Sequence, residues 1–378
     1  MTDSFLNHFE SITDPRIERC KRHHLLDILL LAISAVISGA EGWEDIEDFG
    51  HLKLDWLRRY RPFEAGIPKH DTIARVISRL KAKEIETAFQ SWVSSLIETT
   101  GSDVIAIDGK TARRSFTTKG RKNALHTVSA WSCQNQLVLG QAAVAEKSNE
   151  ITAIPELLNL LDIERSIITL DAMGCQQEIA KQIIKQKADY VLALKGNHSG
   201  LQAELEAWWH KIEREGLTEN NYDEHTDVCS GHGRIETRKC QQLLVDSSWL
   251  AKEYRWRGLK SIIKISSETS EKTTGKTVNE TRWYISSLDL NAEQALGAVR
   301  SHWQVESMHW TLDMTFREDE SRIRKGNGAL AFNVMRKIAL NLFKQDKSKS
   351  ASMARKKKMA GLDDDFRSAL LEQGVKMR

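Results

Sequence analysis

The sequence of 378 residues contains few cysteines and no spacing of cysteines that is typical of a zinc site. The five cysteines are scattered along the chain and never form a Cys-x-x-Cys pair: Cys20, Cys133, Cys175, Cys229 and Cys240. An odd number of unpaired, dispersed cysteines argues against a zinc ribbon and indicates a reducing compartment.

Long hydrophobic runs are also missing. The most apolar segment, residues 25–40, contains Asp27 and is too short to cross a bilayer comfortably. Residues 1–16 lack the positive leader and the apolar core of a signal peptide. We therefore expect a cytoplasmic protein that does not associate with a membrane.

Neither charge sign is in large excess, because 55 Lys and Arg oppose 52 Asp and Glu, giving a net charge of +3. The basic residues nevertheless cluster in RIRKG (322–326) and ARKKK (354–358). Such clusters favour a polyanionic partner, although short basic runs are also typical of a solvated surface or tail. The length predicts two or three domains.

Residues 1–97 are predicted to form a helical N-terminal domain, because Leu, Ile, Val and Trp recur there at spacings of three and four. One helix is expected to begin at an N-cap, Asp71, and to bury the apolar positions from Ile73 to Leu80. Its basic residues should face outward: Arg75, Arg79, Lys81 and Lys83. This face favours either contact with a DNA groove or simple exposure to solvent.

From residue 101 the pattern becomes strand-like. The segment VIAIDGKTARRS (104–115) starts with apolar β-formers, and two further runs around Gln134-Asn135-Gln136 predict an antiparallel hairpin. A helix, the run RSIITLDAMG, a second helix and the run DYVLALKGN then follow. The predicted order is therefore β-β-β-α-β-α-β.

Two of these predicted strands end on an aspartate, Asp108 in the first and Asp171 in the fourth. Strands separated by a helix lie parallel in one sheet, so their carboxyl ends share an edge. One aspartate at a strand end is usually a turn or helix cap, whereas two in matching contexts predict a ligand site. Because neighbouring carboxylates repel each other, the pair suggests a bound metal cation.

Residues 199–290 are predicted to form a β-rich insertion, and Asn291 with Gln294 predicts the capping box of a late helix. This helix carries three polar residues on one face, at positions i, i+4 and i+7: His302, Glu306 and His309. They favour either a helical metal site or the addition of Glu306 to the two aspartates as a third acid. Residues 345–378 are predicted to form a basic C-terminal tail.

The order of these segments resembles that of bacterial insertion-sequence transposases of the DDE class, most closely the H-repeat-associated proteins that accompany Rhs elements. The resemblance covers nearly the whole chain and depends on GWEDIEDFG, PKHDTIARV, AIDGKT, TLDAMGCQ, LALKGNH, GHGRIETR and HWQVESMHWTLDMTF. It implies an α/β fold with an RNase H-like catalytic core at residues 98–344. In that core, Asp108, Asp171 and Glu306 would be the catalytic and metal-binding acids.

The sequence departs from the related transposases around the last acid. Many of these proteins contain Tyr-x-x-Arg-x-x-x-Glu-x-x-x-x-x-x-Lys, and the corresponding positions here are Val299, His302, Glu306 and Asp313. Only the glutamate matches, so the DNA contacts of the other three residues do not transfer. Several arginines are alternative contacts: Arg300, Arg317, Arg322 and Arg324.

The resemblance implies that the three acids hold Mg²⁺, for which Mn²⁺ can substitute, and cleave and transfer DNA strands by two-metal phosphoryl transfer. Cations would bind the phosphate backbone, and we expect this of Lys110, Arg113, Arg114, Lys195, Arg234, Arg300, Arg322 and Arg324. His232 and Arg238 in GHGRIETR could also meet DNA, or form an ordinary hairpin.

The implied partners are double-stranded DNA, in the form of terminal inverted repeats and target DNA, and a second copy of the chain in a synaptic complex. On DNA the protein would be associated with the nucleoid. Two alternatives remain open at this point. One is a metal-dependent nuclease without strand transfer, and the other is a DNA-binding protein with a decayed catalytic core.

Overall fold

The computed structural model describes residues 3–97, 103–116, 124–144, 150–231, 233–245 and 256–373. The chain divides into two units. Unit 1 consists of Met1–Thr99, Gly109–Asn149 and Glu306–Arg378, and unit 2 of Thr100–Asp108 and Glu150–Val305. None of the helices in the described part of the chain combines the length and the hydropathy that a membrane span requires.

The N-terminal part of unit 1 is helical, as its apolar periodicity predicts. Its helices are α1 Asp3–Asn7, α2 Leu25–Ile37, α3 Trp43–Leu52, α4 Leu54–Leu57, α5 His70–Ile77 and α6 Ala82–Leu96. Helix α2 is buried along its whole length, which explains why it is apolar on every side. Its single acid, Asp27, accepts a hydrogen bond from Arg61 Nε at 2.9 Å.

Helix α5 has the predicted faces but a different N-terminus. Its apolar positions are buried and its basic positions are exposed, as expected. The prediction that Asp71 is the N-cap is wrong, because the helix begins at His70. The backbone N–H of His70 donates to Glu47 Oε2 at 2.7 Å, so a carboxylate of α3 caps this end.

Unit 1 also contains the predicted hairpin, formed by β2 His126–Ser132 and β3 Leu137–Ala143. The strands are antiparallel and Ser132 pairs with Leu137, which confirms the tight turn. Helix α11, Gly328–Gln345, packs on the hairpin. Asn341 of this helix bonds to both backbone groups of Val138, at 2.9 and 3.0 Å.

The segment predicted to be a basic tail contains two helices, α12 Met353–Leu362 and α13 Asp364–Gln373. Phe366, Leu370 and Leu371 of α13 are buried. Lys356 of α12 is also buried and pairs with Asp346 at 2.9 Å. These two helices were not predicted because the segment is rich in lysine and its apolar residues form only a narrow stripe. This stripe packs the segment on the rest of unit 1.

Unit 2 is an α/β unit in which helices accompany a mixed sheet. Its helices are α7 Glu150–Leu160, α8 Gln177–Lys185, α9 Ser199–Glu215 and α10 Ala292–Met314, and its strands are β1 Val104–Thr111, β4 Ile167–Leu170, β5 Asp189–Leu194, β6 Tyr222–Gly231, β7 Arg234–Leu244, β8 Ser261–Glu271 and β9 Thr277–Ser286. The last residues of β1 and of α10 belong to unit 1. The strand order is β1-β4-β5-β9-β8-β7-β6, with β1, β4 and β5 parallel.

The predicted β-rich insertion at residues 199–290 is part of this sheet, because β9 pairs with β5 and the remaining strands follow it in antiparallel order. The insertion begins with α9, a helix that the sequence interpretation missed. Only Leu201, Leu205 and Trp209 of this helix are buried, so its apolar stripe is narrow among charged residues.

The predicted start of the late helix is confirmed. The backbone N–H of Gln294 donates to Asn291 Oδ1 at 2.8 Å, directly before the first helical residue of α10. The side chain of Asn291 therefore satisfies one of the free N–H groups of the first turn.

Candidate active site

Asp108 and Asp171 each directly follow one residue of the last pair in the register of the parallel strands β1 and β4. Ile107 of β1 pairs with Leu170 of β4, so the two aspartates are the next residues in this register. Adjacent strands lie about 4.8 Å apart, and paired residues of parallel strands face the same side. Strand β1 continues to Thr111, so the prediction that it ends at Asp108 is corrected, whereas Asp171 does follow the end of β4.

The turn after β4 orients the carboxylate of Asp171. Its Oδ1 accepts backbone N–H bonds from Met173 at 3.0 Å and from Gly174 at 3.2 Å. Gly174 is required here, since an added Cβ would lie 2.9 Å from the side chain of Leu170. Below the turn, burial and the charge of Asp171 raise the pKa of Cys175 to about 12, so this thiol stays protonated at neutral pH.

Helix α10 is attached to β4 close to Asp171. His302 Nδ1 and Thr169 Oγ1 lie 2.9 Å apart, and Thr169 precedes Asp171 by two residues on the same face of the strand. Glu306 follows His302 by one helical turn on the same face of α10 and is exposed. His309 is buried.

Two adjacent carboxylates are a donor set that suits a hard divalent cation such as Mg²⁺. Among the residues that the structure describes, no group of three or more His, Cys, Asp or Glu side chains is arranged to hold a metal ion. The metal-binding roles of Asp108, Asp171 and Glu306, and the alternative site on α10, therefore stay predictions.

Lys110, the cation closest to Asp108 in the chain, is bound by carboxylates. Its Nζ lies 2.7 Å from Asp313 Oδ1, 2.8 Å from Glu318 Oε2 and 3.3 Å from Asp319 Oδ1. Only 10% of the Lys110 side chain and 1% of the Glu318 side chain are exposed. We call these four residues the Lys110 cluster. In this structure Lys110 is bound by carboxylates, and its contact with a DNA phosphate stays a prediction.

The charges of the Lys110 cluster stabilise one another. Burial alone lowers the pKa of Lys110, but Glu318 and Asp313 raise it above its ordinary value, so the ammonium is charged at neutral pH. Burial alone raises the pKa of Glu318, whereas Lys110, Arg336 and Lys337 lower it below its usual range. A buried carboxylate that is kept ionised in this way depends on its cations.

Four predicted DNA-binding arginines belong to unit 1, and one of them, Arg113, contacts the Lys110 cluster. Arg113 is 82% exposed and its Nε lies 3.1 Å from Asp319 Oδ2. Arg324 donates from Nε to the carbonyl of Arg114 at 3.0 Å and lies 5.0 Å above the ring of Phe116. The structure thus brings Arg114 and Arg324 together, and Arg322 is exposed in the same segment.

The predicted cations of unit 2 are exposed and lie on different elements. Arg234 of β7 is 3.8 Å from Glu271, and Arg300 of α10 pairs with Asp227. Lys195 follows directly after β5. Two weaker candidates complete this set: Arg238 pairs with Glu236, and His232 lies outside the described residues.

The sequence interpretation missed Thr169 and the acidic members of the Lys110 cluster. Thr169 gives no signal, because a threonine in an apolar strand is ordinary. The run from Asp313 to Glu320 was informative, since four acids stand within eight residues and require nearby cations. Nothing in the sequence indicated that Lys110 of β1 is the cation that these acids meet.

Comparison with known proteins identifies the family. Residues 6–93 match a family model described as DDE_Tnp_1-associated, and residues 99–342 match one described as Transposase DDE domain. The "H repeat-associated putative transposase YhhI" of Escherichia coli strain K12 is 44% identical over 97% of this chain and 97% of its own. The "Putative transposase YncI" of Escherichia coli O157:H7 is 43% identical over 95% and 92%. These matches confirm the resemblance found in the motifs, and the chain belongs to the DDE transposase family, with H repeat-associated proteins among its relatives.

Proposed function

We propose that this protein is the transposase of an insertion-sequence-like element and that it cleaves DNA strands and transfers them to target DNA. Its active site would contain Asp108, Asp171 and Glu306. The observation that carries the proposal is the register of β1 and β4 in a chain of the DDE family: Asp108 and Asp171 directly follow the paired residues Ile107 and Leu170.

The proposed core is RNase H-like. Support comes from the element order β1-β2-β3-α7-β4-α8-β5, in which a hairpin precedes two parallel strands. In open α/β sheets, ligands bind at the carboxyl ends of such strands. Asp171 directly follows this end of β4, and Asp108 follows Ile107, the β1 residue that pairs with the last residue of β4.

Glu306 is the proposed third acid because of its position on α10. His302, one turn earlier on the same face, bonds to Thr169 beside Asp171. Glu306 is also exposed, as a residue that meets DNA or a cation must be. The proposed boundaries are residues 1–97 for the N-terminal domain and 98–344 for the catalytic domain.

The proposed cofactor is Mg²⁺, for which Mn²⁺ can substitute, held by the three acids. When bound, the cations would supply activation of water or of a DNA 3′-hydroxyl and neutralisation of the leaving oxygen. The chain itself orients one of the three carboxylates, since the turn N–H groups of Met173 and Gly174 donate to Asp171. Cys175 is buried with a raised pKa and is not one of the proposed ligands.

The proposed partner is double-stranded DNA, both as terminal inverted repeats and as target. Exposed cations would bind its phosphates, and we assign this role to Arg113, Arg114, Lys195, Arg234 and Arg322. Helix α5, with its exposed Arg75 and Arg79, is the proposed groove-contacting element of the N-terminal domain. A homodimer would pair two DNA ends, and the protein would act in the cytoplasm at the nucleoid.

The proposal is tested with linear DNA that carries the terminal sequences flanking the coding region, incubated with the full-length protein and Mg²⁺. The variants are Asp108→Asn, Asp171→Asn and Glu306→Gln, each of which removes a charge with little change in volume. Asp162→Asn is the control, because Asp162 is an exposed aspartate just before β4. The wild type and the control should yield cut and joined products, and the three variants should bind DNA without cutting it.

Other outcomes would change the assignment. Cutting without joining, under conditions that supply target DNA, would indicate a nuclease, and binding without cutting by the wild type would indicate a decayed core. Normal cutting by one of the three variants would remove that residue from the active site.

A further inference from the structure

The Lys110 cluster connects two elements that are far apart in the sequence. Lys110 lies on the last part of β1, whereas Asp313 lies in the last turn of α10 and Glu318 and Asp319 lie in the short 3-10 helix that follows. Contacts of 2.7, 2.8 and 3.3 Å therefore tie the C-terminal end of α10 to β1. The backbone N–H of Arg113 adds a bond to Asp319 at 3.1 Å.

The Lys110 cluster lies close to Glu306 along the helix. Asp313 follows Glu306 by seven residues, which is two turns, so both residues lie on the same face of α10. A helix held at Asp313 cannot rotate or slide without moving Glu306. On its other side, the bond of His302 to Thr169 restrains the same face one turn before Glu306.

The environment of Lys110 suits a fixed partner more than a mobile phosphate. Its side chain is 10% exposed, and three carboxylates already surround the ammonium. An approaching phosphate would meet these negative charges. Withdrawal of Lys110 would also remove a counterion of Glu318, which is buried and has Asn333 as a hydrogen-bond donor. Arg113 also pairs with Asp319, but its side chain is 82% exposed and is therefore open to a phosphate.

We propose that Lys110 is a positioning residue: through Asp313 and Glu318 it holds the end of α10, and so the orientation of Glu306, and it does not bind DNA phosphate. The catalytic consequence rests on the proposed function of Glu306. The mechanical part, the restraint of α10 by Lys110, stands on the contacts alone.

The two roles of Lys110 predict different responses to salt. A lysine that binds a phosphate releases a counterion, so its removal lowers the slope of log affinity against log salt by roughly 0.9. A positioning lysine leaves this slope unchanged and acts on the reaction step, because misplacement of a catalytic group by a fraction of an ångström slows the reaction itself.

The test uses the full-length protein with Lys110→Met, Lys110→Arg, Asp313→Asn and the double variant Lys110→Met/Asp313→Asn. Lys211→Met is the control, since Lys211 is an exposed helical lysine that pairs with Glu215 at 3.7 Å. Three quantities are measured: DNA affinity from low to moderate salt, the single-turnover cleavage rate at saturating DNA, and amide hydrogen exchange of residues 306–314.

For Lys110→Met we expect an unchanged salt slope, a cleavage rate that falls by at least about ten-fold, and faster exchange of residues 306–314. Asp313→Asn should show the same pattern, and the double variant should lose no more than Lys110→Met alone. Lys110→Arg should recover part of the cleavage rate. The control should resemble the wild type in all three measurements.

A lower salt slope with a normal cleavage rate at saturating DNA would overturn the proposal and make Lys110 a phosphate ligand. Unchanged exchange of residues 306–314 in a folded Lys110→Met protein would also overturn it. If Lys110→Met fails to fold, Asp313→Asn decides, because it keeps the lysine and its contact with Glu318. If the wild type does not cleave DNA, the proposed function fails separately, and the exchange data still decide whether Lys110 restrains α10.

Discussion

Lys337 offers a test of the buried charges in unit 1 that does not depend on activity. This lysine of α11 is 1% exposed, and its Nζ donates to Ser129 Oγ at 2.7 Å and to Gln141 Oε1 at 2.6 Å. Burial lowers its pKa from 10.5 to about 8, although the charge of Glu318 opposes this shift. The perturbation is Lys337→Met, which removes the titrating group and leaves an unbranched side chain that is one atom shorter.

The sign follows from the protons bound in each state. Between pH 8 and 10.5 the unfolded chain still holds the proton that folded Lys337 has released, so the free energy of unfolding rises with pH through this group. One pKa unit corresponds to about 1.4 kcal/mol, so the fall from 10.5 to about 8 corresponds to about 3 kcal/mol. Below pH 8 both states are protonated and the contribution is constant.

The assay is urea unfolding of the wild type and of Lys337→Met at several pH values from 7 to 10.5. Titration of buried thiols and tyrosines affects both proteins equally, so only the difference between their free energies of unfolding is used. This difference should change by about 3 kcal/mol in favour of the wild type between pH 8 and 10.5. Parallel curves across this range would refute the assignment of a lowered pKa to Lys337, and lysine ¹³C NMR titration would check it directly.

Three further predictions concern His302 on α10, the two turn glycines Gly326 and Gly275, and Arg75 in the N-terminal domain. His302→Gln should slow single-turnover cleavage several-fold without abolishing it, because it disturbs the anchor of α10 and not a metal ligand; complete loss with loss of bound metal would favour the helical metal site. Gly326→Ala should lower the melting temperature by several degrees, since φ is +52° and a Cβ would lie 2.3 Å from Ser78 O. Gly275 has φ +68° and no atom within 4 Å of an added Cβ, so Gly275→Ala should lower the free energy of unfolding by only about 1 kcal/mol. A larger destabilisation by Gly275→Ala than by Gly326→Ala would contradict the steric argument. Arg75→Gln should lower the salt slope of DNA affinity by roughly 0.9, and an unchanged slope would remove α5 from the DNA interface.

Local patterns in the sequence predicted the element order from β1 to β5 and the positions of the two aspartates in it. Alternation between strand and helix periodicity depends on residues within one element, and the hairpin and helix that connect β1 to β4 are compatible with a parallel pair. The N-cap at Asn291 and the buried positions of α5 are also local features. For these reasons the adjacent position of Asp108 and Asp171 could be predicted without a structure.

Only the tertiary structure decided which charges meet. Asp319 is 209 residues from Lys110 in the sequence, so no local pattern shows that the cation beside Asp108 is neutralised by acids at the end of α10. The cap of α5 comes from Glu47, 23 residues earlier, in place of the local Asp71. Long-range ion pairs of this kind depend on the packing of whole elements. The sequence could therefore place the candidate acids, while the folded chain decided which side chains hold them in position.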